Sequence, residues 1–293
     1  MYQIVYAIFY LLSLLPWRVI YLLSDFAYLL VYYVFRYRRD VVMNNLEIAF
    51  PGKTVKERVA IAKKFYRQFT DNFIEVIKLI SISEEELNKR FKGNFDVFND
   101  LYQSGINVQL HLGHFFNWEF ANLALSNNMP YTFLVVYMPI NNKVFNRLFM
   151  KLRQRFGSSL VAATNFRNEF LSYSKGRYVL GLVGDQNPGN PDNAYWTYFF
   201  KKLTPIVKGP EKGAKINRTA IVMCSFYQVK RGFYQINFEL LTTNPRSLPD
   251  GEITKKMIAF IEESIRQHPS CYLWSHKRWK WQFNPEKHSK LII

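Results

Sequence analysis

Residues 106–137 read INVQLHLGHFFNWEFANLALSNNMPYTFLVVY, and the fold class follows from how that stretch divides. INVQLHL is a short, nearly continuous apolar run, the signature of a strand buried on both faces. After Gly113-His114 the pattern lengthens. Asn117, a good N-cap, puts Trp118, Glu119 and Phe120 in the first turn of a helix. YTFLVVY is a second apolar run. Strand, helix and strand in succession are the texture of an α/β domain.

The alternation continues outward. A helix is predicted from Asn141 to Phe156, then a strand at SLVAA, a short helix near Asn168 and a strand at YVLGLVGD. AIVMCSFYQ and FYQINFELL follow, joined across Lys230-Arg231-Gly232 as a hairpin. A last helix, ITKKMIAFIEESIRQ, leads into the aromatic, basic tail YLWSHKRWKW. Upstream, Thr54 with Glu57 forms a capping box. Ile61, Phe65, Phe69, Phe73, Ile77 and Ile80 then recur at helical spacing, with Lys63, Lys64 and Arg67 on other faces. SEEELNKRF begins a shorter helix. The expectation is one α/β domain, residues 36–293, with a mixed sheet flanked by helices.

Residues 1–35 are of another kind. From Tyr2 to Phe35 the only formal charges are Arg18 and Asp25, and Pro16 divides the stretch into IVYAIFYLLSLL and VIYLLSDFAYLLVYYVF. Neither half reaches the roughly 20 clean apolar residues of a spanning helix. Both are more hydrophobic than a soluble amphipathic helix requires. The stretch ends in Arg36-Tyr37-Arg38-Arg39, a basic cluster of the cytoplasmic side of a membrane. No basic residue precedes the apolar run and no small-residue site follows it, which argues against a cleaved signal peptide. A hydrophobic membrane anchor is expected, with spanning and interfacial seats both open; the alternative is a buried core helix.

Composition points the same way. The 293 residues carry 39 basic and 22 acidic side chains, net +17, with 49% hydrophobic and 17% aromatic residues. That excludes general disorder and implies a polyanionic partner, nucleic acid or a membrane surface bearing phosphorylated lipid. The anchor favours the membrane, and no nucleic-acid-binding motif is present. Cys224 and Cys271 are too few for a disulfide framework, which suits a reducing location.

His114 lies in the strand-to-helix loop, where open α/β sheets place their ligands. Glu119 sits close enough to turn back toward it. A neutral imidazole can deprotonate a hydroxyl that attacks a thioester, and a carboxylate can fix its tautomer and support the imidazolium. Alone, H-x4-E is a weak pattern, and a solvent-facing His beside a helix-start Glu accounts for it equally. His111 and His114 lack the further Cys or His of a metal site. There is no Gly-rich phosphate loop and no G-x-S-x-G elbow. Neither a metal nor a cofactor is expected.

The surroundings of the motif carry a resemblance. GHFFNWE looks like the H-x4-D/E signature of the late acyltransferases of lipid A biosynthesis, the lauroyl and myristoyl transferases. RYRRDVVMNNLEIAFP, VYMPINNKVFNRLFMKLRQRFG, GDQNPG and PSCYLWSHKRWKW resemble further segments of that family, in its order and over nearly the whole chain. The resemblance implies a glycerol-phosphate-acyltransferase-like fold, an acyl carrier protein thioester as donor, and the hydroxyl of a phosphorylated, Kdo-bearing lipid A precursor as acceptor. It places the enzyme at the bacterial inner membrane with the catalytic domain facing the cytoplasm. His114 matches the catalytic base and Glu119 its partner. Arg153 matches a functionally important arginine and Asp185 an acidic site residue. Asn117, Gln186, His276 and Arg278 stand in the matched segments as substrate-binding candidates. His276, Lys277, Arg278 and Lys280 form either a phosphate-binding lip or a solvated tail. Met138 departs from the family, which often has Arg there, so no charged contact exists at that position.

Two other readings compete. One keeps the chemistry and changes the acceptor to another glycolipid, such as a phosphatidylinositol mannoside, with an acyl-CoA donor. The other is a basic membrane-surface or nucleic-acid-binding protein without catalysis, which would have no need of His114 and Glu119 together.

Overall fold

The computed structural model describes residues Met1–Ile293. Two apolar helices come first, α1 (Tyr2–Leu14) and α2 (Trp17–Leu29), the second extended by a π turn over Leu30–Val34. Three helices follow: α3 (Arg39–Ala49), α4 (Val55–Leu79) and α5 (Glu84–Arg90). The sheet domain runs β1 (Phe91–Lys92), α6 (Asp96–Gln103), β2 (Val108–Leu112), α7 (Trp118–Asn128), β3 (Thr132–Tyr137), α8 (Lys143–Arg153), β4 (Ser159–Ala162), α9 (Phe166–Tyr173) and β5 (Tyr178–Val183). It continues with β6 (Tyr195–Phe199), β7 (Lys202–Ile206), α10 (Gly209–Asn217), β8 (Ala220–Lys230), β9 (Phe233–Thr242), α11 (Glu252–Gln267) and α12 (Pro285–His288).

Seven strands form one sheet in the order β1-β9-β8-β2-β5-β3-β4. Every neighbouring pair is parallel except β8 and β9, the antiparallel hairpin that turns through Gly232. The α/β class, the mixed sheet and its flanking helices thus agree with the sequence. β6 and β7 form a separate antiparallel ribbon that periodicity did not reveal; its Trp196 packs on Phe283 and His288 and its Phe199 on Trp279, all in the C-terminal tail.

The central strand β2 is buried at all its positions, as expected of a strand with neighbours on both edges and helices on both faces. Val108, Leu110, Ile221, Val222, Phe120 and Ile261 belong to the main core. A smaller cluster of Leu134, Val161, Phe170, Tyr178 and Leu180 closes the β4 end under α9.

Helix α4 begins with the predicted capping box, Thr54 Oγ1 accepting from the Glu57 N–H. Its Ile61–Ile80 stripe is buried at Phe65 and Ile80, with Ile61 and Phe69 packed on the core, but it is not the only buried face. Phe73 on that stripe is 50% exposed, whereas Asp71 and Glu75 are 3% and 0% exposed. The reason is that α4 is held between two partners, the sheet domain on one side and α1–α2 on the other.

The N-terminal helices are fastened to that outer side by polar contacts. Ser24 Oγ donates to Asp71 at 2.6 Å and Tyr21 Oη to Glu75 at 3.0 Å. Arg231, at the tip of the β8–β9 hairpin, bridges Asp71 at 2.7 Å and Asp25 at 2.8 Å. Lys78 Nζ caps the C-terminal carbonyls of α1, donating to Ser13 O at 2.6 Å and Leu15 O at 2.8 Å. The opposite faces of α1 and α2 are bare: Ile4, Leu11, Leu22, Phe26, Val34 and Phe35 are all exposed.

Candidate active site

Strands β2 and β5 are adjacent and parallel, with Leu112 beside Val183. Two residues further on, His114 and Asp185 therefore leave the carboxyl edge of the sheet side by side. Asp185 accepts from the His114 ring Nδ1 at 2.6 Å and from the His114 backbone N–H at 3.1 Å. An ionised carboxylate only accepts, so Nδ1 carries the ring proton and Nε2 presents its lone pair. Asp185 is 1% exposed. Burial alone would push its carboxyl up. The facing His114 ring, with hydrogen bonds from that ring and from the backbone, outweighs burial and holds it at about 2.

The carboxylate against the imidazole is thus Asp185, where the sequence pointed to Glu119. Glu119 turns instead to Arg153. The Arg153 Nε donates to Oε2 at 3.0 Å and Nη2 to Oε1 at 2.5 Å, a two-pronged pair. Glu119 is 3% exposed. Burial works against the Arg153 charge, and the bonds from Glu119 more than restore it, so its pKa sits above the usual value. Asn122 Nδ2 donates to the Arg153 carbonyl at 3.0 Å, and the Ser158 hydroxyl donates to the same oxygen. The first turn of α7 and the end of α8 are locked together by these bonds.

Asn117 caps α7 as its sequence position predicts, its Oδ1 accepting from the Glu119 and Phe120 N–H groups at 3.2 Å. It is 0% exposed, so it shapes the loop from within. Its Nδ2 donates to Glu75 at 3.0 Å. Glu75 also receives Tyr234 Oη at 2.5 Å and Tyr21 Oη at 3.0 Å. Burial and the neighbouring Asp71 charge raise the Glu75 carboxyl to about 7 against the pull of those three donors. This carboxylate joins the N-terminal helices, the cap of α7 and the sheet edge. Sequence reasoning missed it, and the available signal was an acidic residue four places after Asp71, one helical turn on along the same face.

The C-terminal block lies against the site, with Arg278 turned inward. Arg278 is 1% exposed. It donates to Asn187 Oδ1 at 2.9 Å and to Pro205 O at 3.1 Å, pinning the GDQNPG turn to β7. Burial lowers its pKa. His276 is half-buried, with burial first and the Arg278 charge second holding it at about 4, so it is neutral at pH 7. Gln186, next to Asp185, is half-buried, and Lys277 and Lys280 are exposed. Asn45, in the NNLEIAFP segment, donates to Trp274 O and His276 O, both at 2.7 Å, and sews the start of the domain to its end. Cys224 is buried, as read from its apolar run.

This arrangement can do one kind of chemistry directly. A polarised imidazole faces solvent with 25% of its side chain exposed, fixed by a buried carboxylate. It can accept a proton from a hydroxyl brought to it, and return it later.

The sequence profile described as bacterial lipid A biosynthesis acyltransferase matches residues 1–281 of the chain. Among individual proteins, the lipid A biosynthesis palmitoleoyltransferase of Escherichia coli (strain K12) is 21% identical over 246 residues, covering 83% of this chain and 79% of that one. The lipid A biosynthesis acyltransferase of Shigella flexneri is similar to the same extent, 21% over 246 residues.

Proposed function

The chain belongs to the bacterial lipid A biosynthesis acyltransferase family, and on that premise we propose that it adds a secondary acyl chain to a Kdo-bearing lipid A precursor, using an acyl carrier protein thioester as donor. The observation that carries the reaction type is the His114–Asp185 pair at the carboxyl edge of the sheet. The acceptor hydroxyl gives its proton to His114 Nε2 as its oxygen attacks the thioester carbonyl. Asp185 supports the imidazolium. The tetrahedral intermediate collapses, the C–S bond breaks, and the departing thiolate takes the proton back from Nε2. An ester and a free thiol result, with no covalent enzyme intermediate and no cofactor. Arg153 keeps its charge at every working pH and, held by Glu119, offers its remaining N–H groups to the oxyanion or to a substrate phosphate.

The polar fastening of α1 and α2 supports a reading of how the enzyme is seated. If α2 spanned a bilayer, Asp71, Glu75 and Arg231 would be carried to membrane depth with it, a costly arrangement. The helices lie instead in the interface of the inner membrane, bare apolar faces in one leaflet, with the site opening to the cytoplasm.

The test is transfer itself. Detergent-solubilised enzyme is mixed with a tetra-acylated, Kdo-bearing precursor and a panel of acyl carrier protein thioesters, and products are weighed by mass spectrometry. One added acyl mass, abolished in His114→Ala and Asp185→Asn, is the expected result. Transfer from acyl-CoA onto a different glycolipid, with none onto the precursor, would overturn the acceptor and donor assigned here.

A further inference from the structure

Helix α8 carries Lys143, Arg147, Lys151 and, just past its end, Arg155 at four-residue spacing, all exposed. None has a carboxylate within salt-bridge distance. What they meet is a matching row of tyrosines on α1. The Arg147 guanidinium lies 4.2 Å from the Tyr2 ring centroid, and the Lys151 ammonium 3.8 Å from that of Tyr6. Tyr2, Tyr6 and Tyr10 stack in turn, with centroids 6.1 and 6.3 Å apart. Arg155 donates to the Leu79 carbonyl at 2.7 Å.

Beneath this row a half-open cavity of about 270 Å³ is lined by Tyr6, Ile80, Leu148, Lys151, Leu152 and Arg155. Its floor is apolar and its two charges are both positive. Lys151 precedes Arg153 by two residues, roughly 200° around the helix. The cavity therefore lies on the face of α8 turned away from the Glu119–Arg153 pair. On the opposite side of α1 from the tyrosine row, Ile4, Ile8 and Leu11 are bare apolar residues.

We propose that this groove between α1 and α8 is a binding site for one anionic phospholipid of the surrounding membrane. An acyl chain enters the cavity over Ile80, Leu148 and Leu152, and Lys151 and Arg155 hold the phosphodiester at its mouth. Charge complementarity selects the occupant: a zwitterionic lipid brings its own cation against an uncompensated cationic row. A free phosphate leaves the apolar floor unused. The tyrosine rings are the cations' partners within the protein and yield them to the lipid phosphate on binding. The proposal rests on the membrane seat inferred above but not on the reaction, so an equilibrium binding measurement reads it whether or not acyl transfer is seen.

The test uses the full chain in a neutral detergent, titrated with dihexanoyl phosphatidylglycerol and followed by calorimetry and native mass spectrometry. One saturable adduct is expected. Dihexanoyl phosphatidylcholine and glycerol 3-phosphate should each bind at least tenfold more weakly. Lys151→Gln, an exposed change that leaves the fold alone, should weaken the adduct about fivefold. Leu148→Trp, which fills the cavity, should remove the adduct if the variant folds. Equal binding of phosphatidylcholine would overturn the charge selection, and equal binding of glycerol 3-phosphate the role of the cavity. Competition by the acyl thioester donor would assign the cavity to the donor instead and overturn the proposal. An unchanged Lys151→Gln would also sink it.

Discussion

His114 and Glu119 are five residues apart in the chain, yet each ends on a different partner, Asp185 and Arg153. The pairing matters for what mutations will do. His114→Ala and Asp185→Asn should each lower kcat by roughly 10²–10⁴ with little change in KM, because they remove the base or the tautomer it needs. Steady-state kinetics on both variants checks this. Glu119→Gln should act first on stability, as it leaves a buried guanidinium unpaired, at a cost of about 3–5 kcal/mol. A denaturant titration reads that directly. Titration separates two further buried groups. His111 is held at about 4 by burial and Glu75 at about 7, chiefly by burial. Below pH 6.5 the unfolded His111 binds a proton that the folded one refuses, so it drains stability as pH falls toward 4. Glu75 works the other way: between about 4.5 and 7 only the unfolded chain releases its proton, so stability drains as pH rises. Relative to the parent, His111→Gln should gain stability as pH drops through the first window. Glu75→Gln should gain it as pH climbs through the second. Thermal unfolding across pH 4–7.5 would refute the assignment if the two trends ran in the same direction.

At the scale of elements, α4 is the joint of the molecule. Its sequence reads as a one-faced amphipathic helix, and the periodicity that suggests this is real. The second buried face is invisible in the pattern because it is polar: Asp71 and Glu75 are satisfied by Ser24, Tyr21, Asn117, Tyr234 and Arg231 from elements far away in the chain. Burying such groups is tolerable only with all partners present. The hairpin turn completes the joint. Gly232 has φ of +73°, and a Cβ there would stand 1.9 Å from Tyr21 Oη and 2.8 Å from Arg90 Nη1. Gly232→Ala should therefore destabilise the fold by more than about 1 kcal/mol. Pushing Tyr21 off Glu75 should also loosen α2, seen as faster hydrogen exchange over residues 17–29.

Over the whole molecule, the N-terminal helices are better described as a fitted layer than as a tether. Deleting residues 1–35 would take Ser24 from Asp71, Tyr21 from Glu75 and Asp25 from Arg231, and bare the outer side of α4. The expected outcome is an aggregating or strongly destabilised domain, in detergent as well as in water. A truncated chain that stays monomeric and melts at the parent temperature would refute this. The α/β class, most strands and helices, the capping box, the Lys230–Gly232 turn and an apolar N-terminal segment were all legible in the sequence, because each rests on local periodicity or on a residue's backbone preference. His114, Arg153 and Asp185 could be singled out from motifs. Which acid meets which base could not, nor could the burial of Asn117 and Arg278, or the role of Glu75. Those depend on the register of β2 against β5, and on a helix caught between two layers. Contacts between residues tens of positions apart leave no periodic trace in the chain, so only the tertiary structure decides them.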